Sequence, residues 1–288
     1  MRTLAIETSS KSVSVAILEH ANLIHELNSE SEVLQESTGK PRSNAGSADK
    51  LPAGYVRKRS KRGSKTSRVF PPGASVLLAP MIKSICEQTG YPLQTIELIA
   101  VTTGPGSFTG LRVGVVTAKT LAYSIQAQIM GVNSLEVIAF QTSEAIARDS
   151  YPKEPKRICP VINAQRNQVF AGYYSLAGES AGNKWRLKEV SPNEILSQDT
   201  WRNRLDQGDV VTGSGLAGVL VNQGDFDSGV ELAPESCRAC TAGTVGKLAW
   251  NKYESGKRME ISEIEPVYFR PSAAEEVRNA KMKQDVSK

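Results

Sequence analysis

At 288 residues the chain is long enough for one large domain or two smaller ones, each with its own core, and an apolar share of 40% leaves part of it outside any core. No apolar run approaches the roughly 18 residues needed to span a bilayer, and Glu7 interrupts the N-terminal apolar stretch before a signal-peptide pattern can form; the expectation is a cytoplasmic protein without a membrane contact. The net charge of +5 is uneven: residues 36–70 hold ten Lys and Arg against Glu36 and Asp49, a local +8, so the remainder carries −3.

The N-terminus reads as a β-meander. Residues 4–6 form a first strand, Thr8-Ser9-Ser10-Lys11 is turn material, residues 12–17 alternate with period two, and residues 23–27 give a third strand. From about 36 to 72 the pattern stops. That stretch is Ser, Gly, Pro, Lys and Arg, too polar to offset its ordering entropy, and is expected to be a disordered basic insertion. Leu78, Met81, Ile82 and Ile85 then recur at helical spacing up to Gly90, with Pro80 either in the first turn or at a kink. A buried strand at 98–103 runs through Gly104-Pro105-Gly106-Ser107 into a helix over 108–125, and a strand at 129–132 leads to Asn133-Ser134-Leu135-Glu136, a capping-box-like helix start.

The second half repeats this style. Strands are expected at 158–163 and 168–175 around the turn Ala164-Gln165-Arg166-Asn167, and a third at 185–190. Ser191-Pro192-Asn193-Glu194 predicts a helix start, with Ser as N-cap, Pro at the first position and Glu at the third. Val210-Val211 leads into Thr212-Gly213-Ser214-Gly215, a helix is expected over 244–253, a short strand over 266–270, and a polar tail from 272. The duplicated order implies an α/β architecture of two lobes, residues 1–132 and 133–271, facing a cleft.

Three features are candidates for function. Gly110, Gly114, Ala118 and Ala122 fall at i, i+4 steps, a ridge of small residues that admits close helix packing. It is set either against the helix carrying Leu78, Met81, Ile82 and Ile85 or, with that helix, against a partner. Thr8, Ser9 and Ser10, then Gly104, Gly106 and Ser107, then Gly213 and Gly215 lie in turns of the kind that bind phosphate, or in turns that need glycine for backbone reasons alone. Metal chemistry has little support: Cys237-Arg-Ala-Cys240 is a single CxxC, Cys86 and Cys159 lie far from it, and His20 and His25 do not form an i, i+4 pair.

The run Val101-Thr102-Thr103-Gly104-Pro105-Gly106-Ser107-Phe108-Thr109-Gly110-Leu111-Arg112-Val113-Gly114 resembles the TsaB (YeaZ) family of tRNA threonylcarbamoyladenosine biosynthesis proteins. Leu4-Ala5-Ile6-Glu7-Thr8-Ser9, Met130-Gly131-Val132-Asn133-Ser134-Leu135 and Glu265-Pro266-Val267-Tyr268-Phe269-Arg270 are similar to further family segments and lie in the same order. The resemblance implies an actin-like, ATPase-type fold of two duplicated lobes. It also implies a non-catalytic subunit that pairs with TsaD, the paralogue that transfers threonylcarbamoyl to N6 of adenosine 37 of tRNA, together with the small ATPase TsaE. A homodimer, a tRNA contact through the basic insertion and residual nucleotide binding stay open, with no cofactor expected. The alternative is an actin-like ATP-binding enzyme, or a metallopeptidase of the wider M22 "glycoprotease" group. Two departures stand out: Ala74-Ser75-Val76-Leu77 lacks the His that many relatives carry before their Leu-x-Pro-Met, and Glu7 stands where nucleotide-using relatives have Asp.

Overall fold

The computed structural model describes residues 1–29, 73–148, 155–177, 186–219 and 229–269. β1 (Arg2–Glu7), β2 (Ser14–Glu19) and β3 (Asn22–Asn28) form the N-terminal meander. Helix α1 (Ala74–Thr89) follows, then β4 (Leu98–Gly104), α2 (Phe108–Ile125), β5 (Gln128–Asn133) and α3 (Ser134–Arg148). The second set is β6 (Arg157–Gln165), β7 (Gln168–Ala177), β8 (Arg186–Ser197), α4 (Gln198–Arg202), β9 (Asp209–Thr212), α5 (Leu216–Val219), β10 (Glu231–Leu232) and α6 (Ala242–Glu254). The expected basic insertion at 36–72 and polar tail from 272 lie outside the described residues.

The two sheets share one topology. The first runs β3-β2-β1-β4-β5 and the second β8-β7-β6-β9-β10, each an antiparallel meander continued by two parallel strands. A helix follows the third, fourth and fifth strand of each set. This is the two-lobed actin-like α/β architecture.

Central strands are apolar on both faces because both faces are covered. Leu4, Ile6, Ile99 and Val101 pack with Leu78, Met81, Ile82 and Ile85 of α1 and with Val115, Ala118 and Ala122 of α2. Ala5, Ala16, Leu18 and Ala100 pack on the opposite face with Val137 and Ile138 of α3 and Val245, Leu248 and Ala249 of α6. The sequence boundary at 132/133 therefore separates the sheets but not the helices, since α6 lies on the first sheet. Helix α3 also packs Leu135, Ala139 and Ile146 against Ile158 and Tyr174 of the second sheet. Side chains tie α3 to α6: Glu136 pairs with Lys252, Glu144 with Lys247 at 3.2 Å, and Thr244 Oγ1 donates to Gln141 Oε1 at 2.9 Å.

Local signals explain most boundaries. Asn133 Oδ1 accepts from the amides of Leu135 and Glu136 and caps α3, and Gly90 takes the left-handed conformation after α1 at φ 71°. Pro80 lies in the interior of α1, past the first turn. Two expectations are corrected. Ser191-Pro192-Asn193-Glu194 does not start a helix; it lies within β8, and the next helix begins after Ser197, whose side chain accepts from the amide of Thr200. β8 is an edge strand with a register shift opposite Ala171–Tyr173, a place where proline removes no needed ladder bond. Residues 266–269 form no strand; a single backbone bond, Val267 N to Thr103 O at 2.7 Å, holds them, and one bond does not make a ladder.

Candidate functional site

Two of the loops expected to bind phosphate, Thr8–Ser10 and Gly104–Ser107, meet at the C-terminal ends of β1 and β4, where Glu7 engages the Ser9 and Ser10 amides and the Ser9 hydroxyl while Thr8 Oγ1 is buried without a hydrogen-bond partner among the described residues. Glu7 is 1% exposed, and its Oε1 accepts from Ser9 N at 2.8 Å, Ser9 Oγ at 2.7 Å and Ser10 N at 3.1 Å. The turn thus folds around a carboxyl group of its own chain. Burial raises the pKa of Glu7, and the hydrogen bonds from Ser9, Thr102 and Cys240 only partly offset that. The adjacent Cys240 thiol is also raised, by burial and by Glu7.

The Gly104–Ser107 loop closes over the same turn. Ser107 N donates to Ser9 O at 2.6 Å, and a Cβ on Gly106 would stand 2.2 Å from that oxygen. Ser107 Oγ caps α2 by accepting from Gly110 N at 3.2 Å. In the second lobe Gly215 N donates to Val161 O at 2.9 Å, and a Cβ on Gly213, which has φ +112°, would stand 2.2 Å from Val161 O. Gly106 lets the first loop lie against the Ser9 turn, and Gly213 and Gly215 let the second lie against β6. The structure brings Thr8, Ser9, Ser10, Gly106 and Ser107 together; Gly213 and Gly215 pack on β6 of the other lobe.

The small-residue ridge faces inward, which corrects its reading as a partner surface. A Cβ on Gly110 would stand 2.0 Å from Thr8 O, and one on Gly114 2.1 Å from Thr8 Oγ1. Ala118 and Ala122 are fully buried in the core. Leu78, Met81, Ile82 and Ile85 are buried in the same core, so their side chains are spent inside the chain and present nothing to a partner. Gly110 and Gly114 are glycines because the Thr8–Ser9 turn approaches the helix backbone there, while Ala118 and Ala122 pack in the core with α1.

The exposed side of α2 was missed in the sequence. Phe108, Val116 and Tyr123 are 40%, 63% and 78% exposed, and Arg112 is exposed between them. At about 100° per residue these four fall in one arc of about 80°, opposite the glycines. The i, i+7 pair Val116 and Tyr123 was the signal. Arg112 stacks over the Phe108 ring at 4.9 Å, and the Tyr268 ring lies 4.7 Å from the Phe108 ring between centroids. Elsewhere, a cavity of about 430 Å³ between the lobes is lined by Asn133, Tyr174, Glu189 and Lys257 and by the Glu136–Lys252 pair. Among the described residues no three His, Cys, Asp or Glu converge as metal ligands, and no helix is long and apolar enough to cross a membrane.

The duplicated sheet topology defines a two-lobed, actin-like α/β fold. Comparison with known proteins narrows this. Residues 73–191 match the family profile described as "TsaD: tRNA N6-adenosine threonylcarbamoyltransferase". The chain is 31% identical over 135 residues to the Bacillus subtilis tRNA threonylcarbamoyladenosine biosynthesis protein TsaB, covering 47% of this chain and 52% of that protein. It is 26% identical over 201 residues to the Escherichia coli TsaB, covering 68% and 80%. The solved structure of YeaZ from Pseudomonas aeruginosa superposes with a TM-score of 0.61 at 20% identity, covering 93% of this chain and 99% of that one. The chain is similar to proteins of the TsaB (YeaZ) family in part of its sequence and in its fold. Its matched stretch spans only about half the length of the Bacillus subtilis relative.

Proposed function

We propose that this chain is a subunit of the machinery that makes N6-threonylcarbamoyladenosine in tRNA, and that it works by docking a TsaD-type catalytic subunit rather than by chemistry of its own. One observation carries the reading: α2 turns the large apolar side chains Val116 and Tyr123, with Arg112 beside them, to the outside. A monomer leaves such side chains in water at a cost, and exposed apolar faces mark interaction sites. The match of residues 73–191 to the transferase family supports the choice of partner. That stretch contains α1, β4 and α2, so the partner carries the same structural block and can offer a similarly built helix face. The spent donors around Glu7 support a subunit that does not turn over nucleotide.

A TsaE-like ATPase as a further subunit, a homodimer in the absence of the transferase, a cytoplasmic setting and a tRNA contact through residues 36–72 belong to the same proposal. The test is reconstitution. The purified chain is incubated with tRNA and threonylcarbamoyl-adenylate, alone and with a TsaD-type subunit. The expected result is no modification alone and modification that depends on both proteins together. Modification by the chain alone overturns the proposal.

A further inference from the structure

We infer that the segment from Ile264 to Tyr268 is the second wall of the docking surface on α2, and that the TsaD-type subunit grips Tyr268 and Phe108 as well as the helix stripe. The inference rests on the docking reading above and adds residues to it. The segment is pinned along α2. Ile264 is fully buried, and its carbonyl accepts from Lys119 Nζ at 3.1 Å. Val267 N donates to Thr103 O at 2.7 Å, and Phe269 packs on Phe170 of the second lobe at 5.7 Å. Between these anchors the side chains of Val267 and Tyr268 turn outward, 45% and 43% exposed. Lys119 and Phe108 lie on the side of α2 next to the Arg112–Val116–Tyr123 arc, so strap and stripe are adjacent along the helix.

The surface mixes apolar side chains with two cations, Arg112 and Lys119. Five of the eight exposed large apolar side chains among the described residues lie on it: Phe108, Val116, Tyr123, Val267 and Tyr268. Its composition, aromatics around one arginine, is that of the buried centre of protein interfaces. Among the described residues its cations are Arg112, which stacks on the Phe108 ring, and Lys119, which donates to the Ile264 carbonyl. Phosphate contacts on nucleic acid need several cations, so the chemistry favours a protein occupant. The strap is held before binding, so ordering it costs the complex little.

The test uses the full chain and the TsaD-type subunit. Affinity is measured by titration calorimetry for wild type, Tyr268→Ala, Phe108→Ala and Val116→Arg, with circular dichroism melts to confirm folding. Val267→Ser serves as a second strap variant should Tyr268→Ala melt early. The expected result is a loss of about tenfold or more for Tyr268→Ala and for Phe108→Ala, as for aromatic anchors at interface centres, and loss of binding for Val116→Arg. Wild-type affinity in both strap variants, with binding lost in Val116→Arg, overturns the strap and leaves the docking reading standing. Wild-type affinity in Val116→Arg overturns the docking reading itself. Strap variants that dissolve a homodimer or weaken tRNA binding while leaving transferase affinity unchanged also overturn the inference.

Discussion

Gly110→Ala reports directly on which way the ridge of α2 faces. Replacing a helical glycine by alanine stabilises an exposed helix interior by about 1 kcal/mol. At Gly110 the new methyl would stand 2.0 Å from Thr8 O, against the 3.0 Å below which Cβ contacts essentially never occur. The opposing atom is backbone, so a rotamer change cannot relieve the contact. The Thr8–Ser9 turn must move by about an ångström, and Ser9 N and Oγ are the groups that hold Glu7. Overpacking of this kind costs about 3 kcal/mol at the upper end of its usual range, leaving a net loss of about 2 kcal/mol after the propensity gain. The assay is urea unfolding followed by circular dichroism, with Thr120→Ala on the exposed side of the same helix as the control. The control should gain about 0.5 kcal/mol at an unchanged m-value. A Gly110→Ala variant that is more stable than wild type would refute the inward ridge, and weakened partner binding in that stabilised variant would return the ridge to the interface.

Other outcomes follow from the same geometry. The raised pKa of Glu7 means the folded chain holds its proton more tightly than the unfolded chain, so wild-type stability should fall as pH rises above the ordinary value of 4.5. Glu7→Gln should flatten that fall, and parallel stability–pH curves for the two proteins would contradict a protonated Glu7. Tyr123→Ala, at a side chain 78% exposed, should change stability by less than about 0.5 kcal/mol while weakening capture of the TsaD-type subunit; unchanged capture would place the contact elsewhere. Deleting residues 40–68 should lower tRNA affinity of the assembled complex at low salt and reduce its salt slope, because ten basic residues against two acidic ones lie in 36–70; identical slopes would show that the insertion makes no phosphate contact.

The sequence by itself determined the repeated order of elements. Period-two alternation marked β2, continuous apolar runs marked β4 and β5, and Asn133 marked the start of α3, because these signals are local and their partners lie within a few residues. The resemblance to TsaB (YeaZ) proteins was legible for the same reason, since Gly104-Pro105-Gly106-Ser107-Phe108-Thr109-Gly110 is one unbroken run. Ser191-Pro192-Asn193-Glu194 misled because the same residues suit a helix start and a bulged edge strand, and only pairing with β7 decides between them. The ridge of Gly110, Gly114, Ala118 and Ala122 fixed a helix face but not what lies against it. Small residues allow close approach by any backbone, from this chain or another, and at Gly110 and Gly114 the neighbour proved to be the Thr8–Ser9 turn about a hundred residues earlier. Glu7 likewise reads as a polar residue after a strand. That it fills its own turn depends on Ser107 and Gly106 closing over Ser9 and on Cys240 arriving from the other end of the chain, contacts set by tertiary packing that no local pattern encodes.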